Sequence, residues 1–168
     1  MVPVVFIAGY ANTGKTTLVK NLVQVFKKMG YRVAAIKHAA HGYEMDIEGS
    51  DTWHYCQAGA DRVVVVGPAS LTMHRLYEQE PPLKDVCKMV EDVDLIFVEG
   101  FKREPGPKIE VVREGKERLS LGDDLIAIVG DKSLTAAAPT FTSDDLPQLA
   151  EFLVNYFDLE KSVIFSGR

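Results

Sequence analysis

The segment Gly9-Tyr-Ala-Asn-Thr-Gly14-Lys15-Thr16, set directly after the apolar run Val4 to Ala8, constrains this chain more than any other feature. Two glycines bracketing four residues, then Lys and a hydroxyl, make a turn whose successive backbone N–H groups point at a phosphate. In that spacing Lys15 reaches the outer phosphate oxygens and the Thr16 hydroxyl can ligate Mg²⁺. The motif works only between a strand and a helix, and both are legible. Residues 4 to 8 are apolar and partly β-branched, as a buried parallel strand requires. Leu18, Leu22 and Phe26, flanked by Val19, Val23, Val25 and Met29, then recur at helical spacing until Gly30. The helix starts with its positive dipole end at the loop, so the phosphates of a nucleotide are the expected ligand.

The rest of the chain repeats the alternation. Short apolar runs predict strands at 4–8, 32–37, 62–66, 94–98 and 125–129, and periodic segments predict helices at 15–29, 51–58, 83–91 and 144–157. The last helix follows Thr142-Ser143-Asp144, which has good N-capping chemistry. This pattern predicts an α/β fold, a mostly parallel sheet with helices on both faces. A length of 168 residues suits one well-buried domain, so residues 1–168 are expected to form a single nucleotide-binding domain. Two stretches break the alternation. Ser70 to Tyr77 and Pro107 to Arg113 alternate in polarity after Gly/Pro breakers. They read as added antiparallel strands, within 68–78 and 105–118, at a sheet edge or in a small subdomain. An exposed edge is where a second protomer would pair, and a homodimer seamed by these strands is the expectation.

Charge and terminus narrow the class. A net charge of −5 without a long basic run argues against nucleic acid as a partner. Met1-Val-Pro-Val enters the first strand with no basic n-region or small-residue cleavage site, and no apolar run approaches the ~20 residues that span a bilayer. No membrane association and a cytoplasmic location are expected. Cys56 and Cys87 lack paired ligand spacing and are expected to be reduced thiols.

Several residues should converge on the phosphates. The run Val93 to Val98 ends in Glu99-Gly100, an acid where P-loop proteins place a magnesium-side carboxylate and a glycine that lets backbone approach the γ-phosphate. Asp46 and Asp51 lie in the aperiodic stretch His38 to Gly49 and just beyond it. Either can hold Mg²⁺ through water or orient a hydrolytic water, and Asp51 can equally cap a helix. Lys37, ending the second strand, and Lys102 are candidates to place ammonium groups over the site. His38, His41 and Cys56 are too poorly spaced for structural zinc, and the histidines suit hydrogen bonding beside a phosphate or pterin pocket better. Asp131, just past the strand 125–129, can accept from a guanine amino edge or serve as a turn residue.

Taken together, Gly9-Tyr-Ala-Asn-Thr-Gly-Lys-Thr-Thr17, Ile36-Lys-His-Ala-Ala-His41, Asp46, Gly49-Ser-Asp-Thr52, Ala58-Gly-Ala60, Asp94-Leu-Ile-Phe-Val-Glu-Gly-Phe-Lys102 and Pro107-Lys-Ile-Glu-Val-Val-Arg113 resemble the molybdopterin-guanine dinucleotide biosynthesis adaptor protein B (MobB) family. The likeness runs from about residue 3 to 155. It implies a GTP-binding, usually homodimeric protein of the signal-recognition-particle and MinD-type P-loop class, with weak GTPase activity. That protein assists the guanylyltransferase that attaches GMP to molybdopterin. By the same resemblance Gly9, Asn12, Thr13, Gly14, Lys15, Thr16 and Thr17 lie at GTP, and Thr16 with Glu99 lies at Mg²⁺. Lys37, His38 and His41 form a candidate wall for the cofactor, molybdopterin, or for a switch. The departure from the family pattern is Tyr10-Ala-Asn-Thr13, where small Ser/Gly residues are common.

Two other functions fit a phosphate loop. A small-molecule kinase or ATP-dependent ligase resembling dethiobiotin synthetase would carry an arginine-rich lid to clamp the transferred phosphoryl group. The arginines are scattered along the chain instead. A module that binds nucleotide without hydrolysing it is the other.

Overall fold

The computed structural model describes residues 1–44, 46–113, 115–131 and 138–160; Glu114, within the expected strand segment 105–118, lies outside them. The chain, read above as one domain, divides into two compact units, residues 1–38 with 89–168, and residues 39–88.

The larger unit holds β1 (Val4–Ala8), α1 (Lys15–Lys28), β2 (Val33–Lys37), β5 (Leu95–Glu99), β6 (Lys108–Val111), β7 (Leu125–Val129), β8 (Thr140–Phe141) and α4 (Leu146–Tyr156). Its six strands run in the order β2-β5-β1-β6-β7-β8, every pairing parallel. β1 is therefore flanked by strands that come much later in the chain, and the connection that leaves it leads to β2 on one side while that from the adjacent β6 leads to β7 on the other. That reversal is where open parallel sheets bind ligands, at the carboxyl ends of the strands. Val5, Ile7, Leu95, Phe97, Ile109, Val111, Ala127 and Val129 share one face, where they pack with Leu18, Leu22 and Phe26 of α1 and Leu149, Ala150 and Leu153 of α4. The Phe26 ring meets Phe97 edge-on at 5.4 Å and Tyr31 at 5.7 Å, favourable offsets for buried aromatics. α1 has Lys27 and Lys28 in its last turn and no acid in its first, which complements its dipole and leaves its N-terminus for an anion.

The smaller unit holds α2 (Asp51–Gln57), the antiparallel pair β3 (Arg62–Gly67) and β4 (Ser70–Arg75), and α3 (Leu83–Lys88). The apolar run at 62–66, expected in the parallel sheet, forms a hairpin with the added strand at 70–75 instead. Gly67 pairs with Ser70 across the Pro68-Ala69 turn, so the breaker closes a hairpin.

The second added strand is a correction. Residues 108–111 are not an antiparallel edge but a central parallel strand between β1 and β7. Alternating polarity suggested one wet face, yet Lys108 and Glu110 are buried. Lys108 Nζ donates to Asp124 Oδ2 (2.6 Å) and to the Glu104 carbonyl (2.6 Å). The Glu110 carboxylate accepts from Arg118 Nε (3.0 Å) and Nη2 (2.9 Å) and from the Leu119 N–H. Paired charges can occupy an interior strand, and residue pattern alone does not tell them from solvated ones. The helix at 146–156 also starts differently from its expected cap. Asp145 Oδ2 accepts from the Thr142 N–H (2.9 Å) and hydroxyl (2.7 Å), and Pro147 sits in the first turn.

Asp124 is held below the ordinary carboxylate range chiefly by its bond to Lys108. A depressed acid of this kind contributes stability above its unfolded value that is lost as pH falls through the folded one. Arg118→Ala leaves Glu110 buried with two N–H donors fewer, and denaturant unfolding should show a loss of about 2–3 kcal/mol. A change under about 0.5 kcal/mol would mean that the buried carboxylate does not depend on Arg118.

Candidate functional site

The loop after β1 is built by backbone geometry that few residues tolerate. Gly9 has φ +150°, and a Cβ there would lie 2.6 Å from the Val111 carbonyl oxygen and 2.8 Å from Thr13 Oγ1, so only glycine passes this close to β6. Asn12 takes φ +60° and Gly14, which caps α1, φ +102°. Left-handed residues alternating with right-handed ones turn consecutive N–H groups to one side, the concavity that holds anions. Asn is among the side chains that accept this conformation, which is why Tyr10-Ala-Asn-Thr serves where smaller residues are usual. Thr13 Oγ1 donates to the Tyr10 carbonyl (3.0 Å), and Leu18 N–H to the Gly14 carbonyl (2.9 Å).

Lys15 Nζ donates to the Tyr10 carbonyl at 2.7 Å, folding the side chain back over the loop. Thr16 Oγ1 lies 2.8 Å and 3.0 Å from the two oxygens of Glu99. These residues are 83 apart in sequence and meet because Glu99 stands opposite Ile7 in the β1–β5 register, on the strand face that α1 covers. A hydroxyl beside a carboxylate is an all-oxygen donor pair of the kind a hard divalent cation takes, with phosphate and water completing the shell. Among the described residues no cluster of three or more His, Cys, Asp or Glu forms a denser metal site.

Cations gather at the same edge. Lys37 stands opposite Glu99 in the β2–β5 register. Burial holds the Lys15 ammonium below its ordinary range; Glu99 opposes that shift, and Lys102 and Lys37 reinforce it by repulsion. All three lysines therefore act on one small volume. His38 donates its backbone N–H to the Glu99 carbonyl (2.9 Å), and its ring stacks on Phe101 at 4.1 Å and 17°. Gly100 is required by this contact, since a Cβ there would sit 2.9 Å from His38 Cβ. Thr17 follows Thr16 in the first turn of α1, and Asp131 is exposed just past β7 at the same carboxyl edge of the sheet.

His41, Asp46 and Asp51 belong to the smaller unit. Ser50, not Asp51, caps α2: its Oγ accepts from the Trp53 N–H (3.2 Å), and Asp51 is the first helical residue. Asp46 Oδ1 accepts from Ser50 Oγ (2.9 Å) and the Ile47 N–H (2.8 Å). Hydrogen bonds from Thr52 and Ser50 hold its carboxyl below the ordinary range. Asp46 thus braces the start of α2.

Two contributors escaped the sequence reading. Arg113, counted among scattered arginines, donates from Nη1 to the Asn12 carbonyl at 3.4 Å, and Phe101 supplies the stack under His38. The signal for Arg113 was its place two residues past β6, at the edge where the loop sits.

A glycine-bounded loop joining strand to helix where a parallel sheet reverses direction, answered by an acid from the adjacent strand, places the protein in the P-loop NTPase-like fold class. Solved structures agree. The crystal structure of molybdopterin-guanine biosynthesis protein B superposes with a TM-score of 0.76 at 27% identity, covering 91% of this chain and 99% of its own. A MobB homologue from Bacillus stearothermophilus gives 0.70 at 27% identity, with 92% and 97% covered. The molybdopterin-guanine dinucleotide biosynthesis adapter protein of Escherichia coli is 32% identical over 164 residues, spanning 93% of this chain and 94% of the relative. Its Haemophilus influenzae namesake is 29% identical over 159 residues, with 92% and 89% covered. Residues 4–131 match the family described as molybdopterin guanine dinucleotide synthesis protein B, and the chain belongs to that family.

The lowered Lys15 has a sign that can be measured. The unfolded chain keeps its proton up to 10.5, so in the free protein stability rises with pH between the lowered value and that one. A bound polyphosphate favours the ammonium, so binding should take up protons on the alkaline side of neutrality and weaken as pH rises further. Calorimetry with tripolyphosphate in buffers of differing ionisation enthalpy should record the uptake, and Lys15→Met should abolish it.

Proposed function

We propose that this protein is a GTP-binding adapter of molybdopterin-guanine dinucleotide biosynthesis, with slow Mg²⁺-dependent GTPase activity, that assists the enzyme attaching GMP to molybdopterin. The observation that carries the nucleotide reading is the Thr16–Glu99 contact beside Lys15, which brings a loop hydroxyl, a strand-end carboxylate and a phosphate-reaching ammonium together. The pathway rests on family membership and on relatives whose names describe adapters in that synthesis.

In this reading the phosphates lie on the N–H groups of residues 9–16, with Lys15 at the β/γ oxygens. Thr16 and Glu99 would hold Mg²⁺, which supplies charge neutralisation of the phosphates. Lys37 and Lys102 add positive charge, and Gly100 lets the β5 loop approach the γ-phosphate. The order of Lys37, His38 and His41 makes that segment a candidate contact for molybdopterin, and Asp131 one for the guanine edge. Asp51 remains a candidate to orient water. Arg113 is engaged by the Asn12 carbonyl, so among the described residues no free arginine is evident at the loop to stabilise transferring charge, and turnover is expected to be slow.

Lys15→Ala should weaken GTP binding by about 2 kcal/mol or more. Glu99→Gln should remove Mg²⁺-stimulated phosphate release, whereas Asp94→Asn should keep most of it. Asp94 sits at the far end of the strand, accepting from the Arg32 N–H at 2.7 Å. Turnover of the isolated protein should stay below about 1 s⁻¹, and faster hydrolysis would favour an enzyme over an adapter.

A homodimer completes the proposal, with its seam moved from the expectation. β6 is paired on both sides, so the segment 107–113 offers no edge. β3 and β4 do. Val64 pairs with Met73 and Val66 with Leu71, so all four share one hairpin face, and each is about half exposed or more. An apolar patch of this kind on a small unit suits a self-complementary contact about a two-fold axis. Val66→Asp with Leu71→Lys should convert the mass seen by light scattering from dimer to monomer without loss of GTP binding. A wild-type monomer at micromolar concentration would remove the dimer and leave the nucleotide reading intact.

A further inference from the structure

Cys56 and His74 lie 18 residues apart in sequence, on α2 and β4, and the hairpin brings them together with Cys56 Sγ 3.4 Å from His74 Nδ1. Both line an open cavity of about 530 Å³ within the smaller unit, whose walls include Tyr43, Trp53, Tyr77 and Arg75. The Arg75 guanidinium stands 4.6 Å over the Tyr77 ring. Asp46 opens into the same cavity, and its carboxylate is close enough to His74 to feel its charge. His74 lies on the face of β4 opposite Leu71 and Met73, so the thiol and the apolar patch do not compete for one surface. Nothing in the phosphate site uses any of these groups.

We propose that Cys56 is a reactive thiol activated by His74, in a pocket that takes a small, anionic aryl disulfide. An imidazole nitrogen at this distance can accept the thiol proton, and the nearby carboxylate stabilises the imidazolium formed. The thiolate attacks one sulfur of the disulfide. A new S–S bond forms to Cys56, the original S–S bond breaks, and the departing thiolate leaves with the electron pair. The three aromatic rings give a stacking surface for a planar group, and Arg75 supplies a fork for a carboxylate beside it. The product is a mixed disulfide on α2, reversible by excess thiol.

Cys87 is the internal control: it has no imidazole partner, and burial pushes its thiol up. An ordinary thiol of pKa ≈ 8.5 is only about 3% ionised at pH 7, so full ionisation raises the thiolate population roughly 30-fold, a gain that the weaker nucleophilicity of a more acidic thiol partly offsets. The folded full chain is treated at pH 7 with 5,5′-dithiobis(2-nitrobenzoate), an aromatic disulfide carrying carboxylates, and with the uncharged 4,4′-dithiodipyridine. Sites are assigned by peptide mass. Cys56 should react with the anionic reagent at least about tenfold faster than Cys87, and His74→Gln should remove most of that advantage. Arg75→Ala should slow the anionic reagent several-fold and leave the neutral one unchanged, a split that partial unfolding would not produce. Equal rates at the two cysteines, or a Cys56 rate indifferent to His74→Gln in a variant with unchanged circular dichroism, would overturn the proposal. If Arg75→Ala slowed both reagents alike, the anionic specificity would be wrong.

Discussion

The contact on which the arrangement depends is the close pass of Gly9 beside the carbonyl of Val111. It draws the loop that follows β1 against the end of β6, the neighbouring strand. With the loop anchored there, Asn12 and Gly14 can take left-handed conformations that turn N–H groups inward, and α1 begins at the correct place to present Thr16. On the other side β5 brings Glu99 into register with Ile7, so the carboxylate arrives under the same helix terminus. The site is thus shared by three adjacent strands. The Lys15 side chain is held over the loop by the Tyr10 carbonyl.

That anchoring strand carries two charges inside. Lys108 and Glu110 are each met by an opposite charge from the segment before β7, and the main-chain carbonyl of Glu104 and N–H of Leu119 complete the pairing. A buried ion pair gains little stability over well-packed apolar residues. Its effect here is positional: Glu110 fixes Arg118 and Leu119, and Lys108 fixes the 104–106 turn, so the two connections flanking the strand are tied to the sheet. Arg113 leaves β6 between these ties and reaches the phosphate loop.

The smaller unit obeys different rules. Among its described residues the buried apolar side chains are Val63 and Leu83, and β3 leaves Val64 and Val66 together on an exposed face. Ser50 and Asp46 supply the start of α2 with a chain of hydrogen bonds, Ser50 Oγ accepting from the Trp53 N–H and donating to Asp46 Oδ1. The parallel sheet belongs to the larger unit, and the thiol–imidazole pair and the apolar hairpin to the smaller one.

The phosphate loop, its preceding strand and its helix were legible from Gly9 to Thr16 because each residue there acts through local backbone geometry, and local geometry is written in neighbouring residues. Glu99 was legible for a related reason: an acid ending an apolar strand can only stand at the sheet's edge. The alternation at 107–113 misled because a period of two records which residues share a face and not whether that face meets water. Lys108 and Glu110 became interior residues only through Asp124 and Arg118, partners separated from them by loop. Likewise the run at 62–66 reads as a buried parallel strand, and only its pairing with 70–75 across Gly67 to Ser70 makes it a hairpin. What the sequence by itself determined was the strand–loop–helix around Gly9 to Thr16 and the α/β class. Which strands lie side by side, which charges are buried, and which thiol meets which imidazole were decided by tertiary structure, because those outcomes depend on contacts between residues that the chain keeps far apart.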